Sequence, residues 1–181
     1  IDTTLGSWPA IWGKGISGSW PYCGEIDIME FYRRSKDPER PVILANVAWG
    51  SETNPEGFWN TGRFPLSDFT ENDDEWCNKF HVWRMDWTKD SIKLYLDDQL
   101  LNEQDMSEAV NQAGSNPMQP FQQNYYFILN LAIGSNGDDP ENSPFPIKYE
   151  VDYFRVYQST PPTNISNPAL ATPNCLTVRG I

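Results

Sequence analysis

Residues 24–31 read GEIDIMEF, three carboxylates set into a run of Ile, Met and Phe. In a β-strand successive side chains take opposite faces, so Glu25 and Asp27 share one face while Ile26 and Ile28 pack on the other. Glu30 falls out of this count, and one extra residue near Ile28 or Met29, a β-bulge, returns it to the acidic face. The segment therefore asks for a bulged strand with one apolar and one acidic side. Like charges crowded on a rigid face repel and drive their pKa values apart, which sets an ionised carboxylate beside a protonated one near neutral pH. Such a set supplies a nucleophile and an acid.

Two simpler readings compete. An acidic face on an antiparallel strand is often only solvated, and three oxygen ligands can hold calcium or magnesium. The flanks favour chemistry on sugars, because Trp20, Tyr22, Phe31 and Tyr32 crowd the segment, and aromatics beside paired carboxylates suit the apolar faces of sugar rings. A strand also presents its ligands too linearly to wrap an ion, and no Gly-turned acidic loop surrounds these three.

The remainder reads as all-β. Short strands bounded by Gly, Pro, Asn and Asp are expected near 8–13, 23–33, 42–49, 79–87, 91–97, 124–134 and 147–157. The turn TKDS joins two alternating runs as a hairpin. Only 105–112 looks helical. Residues 50–78 and 135–146 are expected as long loops on a sandwich rim, lining a substrate. Beyond Gln158 the composition changes to STPPTNISNPALATPN, so residues 1–158 are expected to form the folded domain and 159–181 a linker or disordered tail.

Charge narrows the partners. Thirteen Lys and Arg stand against 25 Asp and Glu, and a net charge of −12 argues against nucleic acid and anionic membrane surfaces. A neutral polymer is an easier partner, and aromatics at 14%, eight of them Trp, suit carbohydrate contact. No apolar run approaches a membrane span. Of the three cysteines, Cys23 and Cys77 could pair in an oxidising compartment, with Cys175 left over. Neither CxxC nor Cys/His metal spacing occurs, which argues against zinc. Glu25, two residues from Cys23, disfavours a thiolate nucleophile there.

The stretch WPYCGEIDIMEFY, with GSWPAIW upstream, resembles the active-site strand of glycoside hydrolase family 16 in its bulged, laminarinase-like branch. KFHVWRMDWTKDSIKLYLDDQLL, FILNLAIG and YEVDYFRVYQ resemble later strands of that family in the expected order, and the likeness covers about residues 3–158. The resemblance implies a concanavalin-like β-jelly-roll sandwich of two antiparallel sheets. It implies Glu25 as nucleophile, Glu30 as general acid/base and Asp27 as the group tuning both, in retaining hydrolysis of β-1,3- or mixed-linked β-glucan without a cofactor. Trp20 would be a sugar platform. Trp8 and Trp12, four apart on one strand face, would line the cleft or pack in the core. His81, the only histidine, would orient the catalytic strand, and Asn130 would reach sugar hydroxyls or serve its strand.

The match also predicts incompleteness. IDTTLGSWPAIW resembles the middle of a family 16 domain, so the N-terminal strands of the sandwich are expected to be missing, and with them part of the cleft and part of a calcium site to which Asp152 would contribute. Relatives often carry His where this chain has Ala48, which bears on linkage preference. A polymeric substrate implies a secreted, cell-surface or periplasmic protein, and a monomer is expected. Agarase- or carrageenase-type cleavage, transglycosylation and a non-catalytic glucan-binding sandwich are the alternatives. The intact carboxylates weigh against the last, because a binding module has no use for a repelling triad.

Overall fold

The computed structural model describes residues 1–33, 41–110 and 119–158, together with the backbone of Cys175–Gly180. The described strands are β1 (Ser7–Gly15), β2 (Glu25–Tyr32), β3 (Val42–Ser51), β4 (Asn54–Pro65), β5 (His81–Trp87), β6 (Ser91–Leu96), β7 (Gln99–Asp105), β8 (Tyr125–Ile133), β9 (Val151–Tyr157) and β10 (Cys175–Gly180). They form two five-stranded sheets, ordered β4-β3-β2-β1-β8 and β7-β6-β5-β10-β9. Every pairing is antiparallel. This is the expected all-β sandwich. Among the described residues one short helix (Ser67–Thr70) and two single 3₁₀ turns complete the regular structure, and no helix there is long and apolar enough to cross a membrane.

The alternation in the sequence decides which faces meet. In β5 every second residue is buried (His81, Trp83, Met85, Trp87), as are Ile92, Leu94 and Leu96 in β6. Against them pack Ile26, Ile28, Met29 and Phe31 of β2 and Ile43, Ala45 and Val47 of β3. Residues in β3 are buried throughout, because this inner strand is covered by core on one side and by the walls of the acidic face on the other. Burial of these aliphatic and aromatic side chains is the main force holding the sheets together, at about 1.5–3 kcal/mol for each large one.

Four expectations need correction. The stretch 50–78 is not a long loop: β4 occupies most of it as an edge strand, hidden in the sequence by Pro, Gly and Asn in NPEGFWNTGRFP. Residues 105–110 are not helical, since Asp105 ends β7 and a turn follows; the rest of that segment lies outside the described residues. The β6–β7 turn consists of Asp97 and Asp98 with φ of 45° and 67°, a left-handed pair in which Asp stands where Gly is more usual. Residues 175–180, expected in a tail, form β10 between β5 and β9, while 159–174 lie outside the described residues. Cys23 and Cys77 are both free thiols.

Candidate active site

β2 departs from regular pairing where the sequence demands it. Asp27 pairs with Asn46 and Glu30 with Leu44, so three steps on β2 match two on β3. On the other side Met29 pairs with Ile11 and Asp27 with Trp12, which leaves Ile28 as the extra residue. Both bulge residues, Ile28 and Met29, are fully buried. The bulge turns Glu30 to the same side as Glu25 and Asp27.

Register then assigns the neighbours, because residues directly opposite in an antiparallel sheet project to one side. Lys14, Glu25, Ala48 and Trp59 lie in one row across the sheet; Trp12, Asp27, Asn46 and Thr61 in the next; Asn130, Ala10, Glu30, Leu44 and Arg63 in a third. Gly24 sets the start of β2. Its φ of +73° is left-handed, and a Cβ there would strike the Tyr125 hydroxyl, which donates to the carbonyls of Cys23 and Pro120.

Burial and hydrogen bonding differentiate the three acids. Asp27 is 2% exposed and Glu30 8%, while Glu25 is more open. The Asn46 amide donates to Asp27 Oδ2 and to Glu30 Oε2, each at 3.1 Å, and the Trp8 indole donates to Glu30 Oε1 at 3.2 Å. Desolvation is the largest cause of the rise in all three pKa values. For Asp27 the charges of Glu30 and Glu25 add to it, against the Asn46 hydrogen bond, and the carboxyl stands well above its usual range. Glu30 is pushed up to about 7 by burial and by Glu25, despite the donors Trp8, Tyr32 and Asn46. Glu25 is raised by burial and held back by hydrogen bonding from Trp20 and by the charge of Lys14. The most exposed of the three acids thus has a cation, Lys14, that favours its ionised form, and Glu30 holds its proton up to neutrality.

The other expected residues divide. Trp8 and Trp12 both reach this face: Trp8 grips Glu30, and Trp12 donates to Asn130 Oδ1 at 2.7 Å. Asn130 is therefore at the cleft, its carbonyl already engaged by Trp12. Trp20 is 44% exposed beside Glu25. His81 is not at the site. It lies on β5 in the other sheet, buried, with Nδ1 2.6 Å from Asp97 Oδ2, Nε2 2.8 Å from the Trp76 carbonyl and its ring stacked on Trp76; it braces the 76–78 turn. Asp152 is an exposed residue of β9, and no group of three or more His, Cys, Asp or Glu among the described residues could hold a metal ion. The calcium expectation therefore finds no ligand set there. Asn46 and Trp59 cannot be picked out from the sequence; both stand beside the triad, and only strand register reveals them.

Comparison with known proteins agrees with this geometry. The model of glycosyl hydrolases family 16 matches residues 1–153. The chain is 34% identical over 168 residues to a glucan endo-1,3-beta-glucosidase A1 of Niallia circulans, covering 87% of this chain and 23% of that protein. It is 35% identical over 152 residues to a beta-1,3-glucan-binding protein of Penaeus monodon, covering 74% and 40%. Among solved structures it resembles the endo-beta-1,3-glucanase from Pyrococcus furiosus with a TM-score of 0.58 at 26% identity, over 98% of this chain and 56% of that one. The chain thus spans well under two thirds of the length of these relatives. With the match running through every strand that builds the acidic face, the chain belongs to glycosyl hydrolases family 16.

Proposed function

We propose that this protein cleaves β-1,3- or mixed-linked β-glucan internally, with retention of configuration. The observation that carries the reading is the bulge in β2, which sets Glu25, Asp27 and Glu30 on one face with Glu30 raised to about 7. In the first step a Glu25 carboxylate oxygen attacks the anomeric carbon while the glycosidic C–O bond breaks. Glu30 gives its proton to the leaving oxygen, and a glycosyl ester remains on Glu25. In the second step Glu30, now ionised, takes a proton from water. The water oxygen attacks the same carbon, the ester C–O bond breaks, and Glu25 is released as carboxylate. Asp27 stands between them and shares the Asn46 amide with Glu30, while burial and the charge of Glu25 keep the proton on Glu30 until the sugar oxygen can accept it.

An internal cut suits the layout, because the acidic strand is central and exposed aromatics stand on both sides of it: Trp59 on β4 is 47% exposed and Tyr126 on β8 42%. A polymeric glucan substrate supports an extracellular site of action. These steps call on no metal or cofactor. A second reading, a glucan-binding sandwich without turnover, draws support from the similarity to the Penaeus monodon protein.

The test is incubation with laminarin, barley β-glucan, lichenan and agarose, followed by sizing of the products. Laminarin and the mixed-linked glucans are expected to shorten to oligosaccharides, while Glu25→Ala and Glu30→Ala lose nearly all turnover with the fold kept. Uncut polymers, or wild-type turnover in either variant, would overturn the hydrolase. Laminarin retention without cleavage would establish the binding reading instead.

A further inference from the structure

Trp59 belongs to none of the motifs that identify the site, yet it stands half-exposed on the carboxylate face. Glu25 pairs with Ala48, and Ala48 with Trp59. Two strand spacings, ~10 Å, separate the backbones of Glu25 and Trp59. Ala48 carries only a methyl group, so no side chain of β3 rises between them. The Trp20 ring lies 6.3 Å from that of Trp59 at an interplanar angle of 49°. Two large rings that meet for the sake of a core are normally buried; these meet and remain 44% and 47% exposed.

The backbone beneath the pair is shaped to bring the rings together. The loop carrying Trp20 docks on the β3–β4 hairpin, where the Gly50 N–H donates to the Pro21 carbonyl at 2.9 Å. A Cβ on Gly50 would come within 2.7 Å of Pro21 Cγ, and one on Gly57, whose φ is +100°, within 3.3 Å of Pro21 Cβ. Glycine at both places lets Pro21 approach, and the neighbouring Trp20 follows it over the sheet. Trp20 in turn stands near enough to Glu25 to favour its ionised form, so the shelf is continuous with the proposed nucleophile.

We infer that Trp59 and Trp20 together form a sugar-binding shelf at the β4 end of the cleft, which takes the apolar face of an uncharged pyranose residue away from the bond attacked. The inference rests on the glucanase reading and adds the residue that extends the cleft. Stacking of C–H groups on indole faces suits an uncharged ring. A uronate or sulfated sugar would instead meet the negative charge of Glu25 and of a chain with net charge −12.

Laminarihexaose binding to the Glu30→Gln protein, measured by titration calorimetry, tests this. Adding Trp59→Ala is expected to raise Kd about tenfold, and adding Trp59→Phe, which keeps an aromatic face, less than about threefold. Trp59→Thr, a β-forming replacement at this edge strand, is expected to repeat the loss and guards against a folding defect in the alanine variant. An unchanged Kd in both Trp59→Ala and Trp59→Thr overturns the shelf and leaves hydrolysis standing. A parent that fails to bind laminarihexaose, in a protein that also fails to cut laminarin, overturns shelf and glucanase together.

Discussion

At the scale of single residues, Asn46 links two of the three acids. Its amide nitrogen serves Asp27 and Glu30 at once, while its buried carbonyl oxygen finds no protein partner. An unpaired buried oxygen costs stability, so the contribution of Asn46 lies in its two N–H groups, which favour the ionised acids. Asn46→Leu, of similar shape but without donors, is expected to move the alkaline limb of the kcat/KM profile upward from about 7 by roughly one pH unit. A limb at the wild-type position would remove Asn46 from this role. The same carboxyls tie stability to pH. Glu30 keeps its proton in the folded protein up to about 7 and releases it from the usual 4.5 when unfolded. Between those values the native state holds the extra proton, so stability is highest below the lower value and falls as pH rises through the window, by about 3 kcal/mol for this group. Asp27 and Glu25, also raised, act in the same direction. The thermal midpoint should therefore drop from pH 5 to pH 8, and Asp27→Asn should flatten the drop. A midpoint that climbs over this range contradicts the assignment of raised pKa values.

At the scale of strands, β2 was legible because its chemistry is local. Alternation placed Glu25 and Asp27, and the misfit of Glu30 located the bulge that the register confirms. Asn46 and Trp59 were not legible, since their place beside the acids depends on which residues of β3 and β4 lie opposite β2, and pairing across a sheet leaves no periodic trace in either strand. β4 was further masked by Pro and Gly, which an edge strand tolerates. His81 shows the opposite error: its motif marks a strand correctly, but β5 belongs to the other sheet. β10 followed a Pro- and Ser-rich run that hid it. Because β10 lies between β5 and β9, truncation after Gln158 takes out an inner strand and unpairs both neighbours. That variant is expected to lose cooperative unfolding by circular dichroism, whereas a midpoint like that of the full chain would return 159–181 to the status of a tail.

At the scale of the whole molecule, the two sheets divide the work. One sheet carries apolar residues inward and the acids, Asn46 and the tryptophans Trp8, Trp12 and Trp59 outward; the other, with Trp83, Met85 and Leu94, supplies core behind the acidic strand β2. Carboxylates can be buried this deeply only because β2 is an inner strand, with β1 and β3 walling it on both sides. In the proposed reaction Glu25 forms a glycosyl ester, which water then resolves with Glu30 as base. Time-resolved proton NMR of laminarin cleavage tests it most directly: the β-anomer of the new reducing end should appear first and the α-anomer only later, by mutarotation. Initial release of the α-anomer would mean inversion and would contradict the roles given to Glu25 and Glu30.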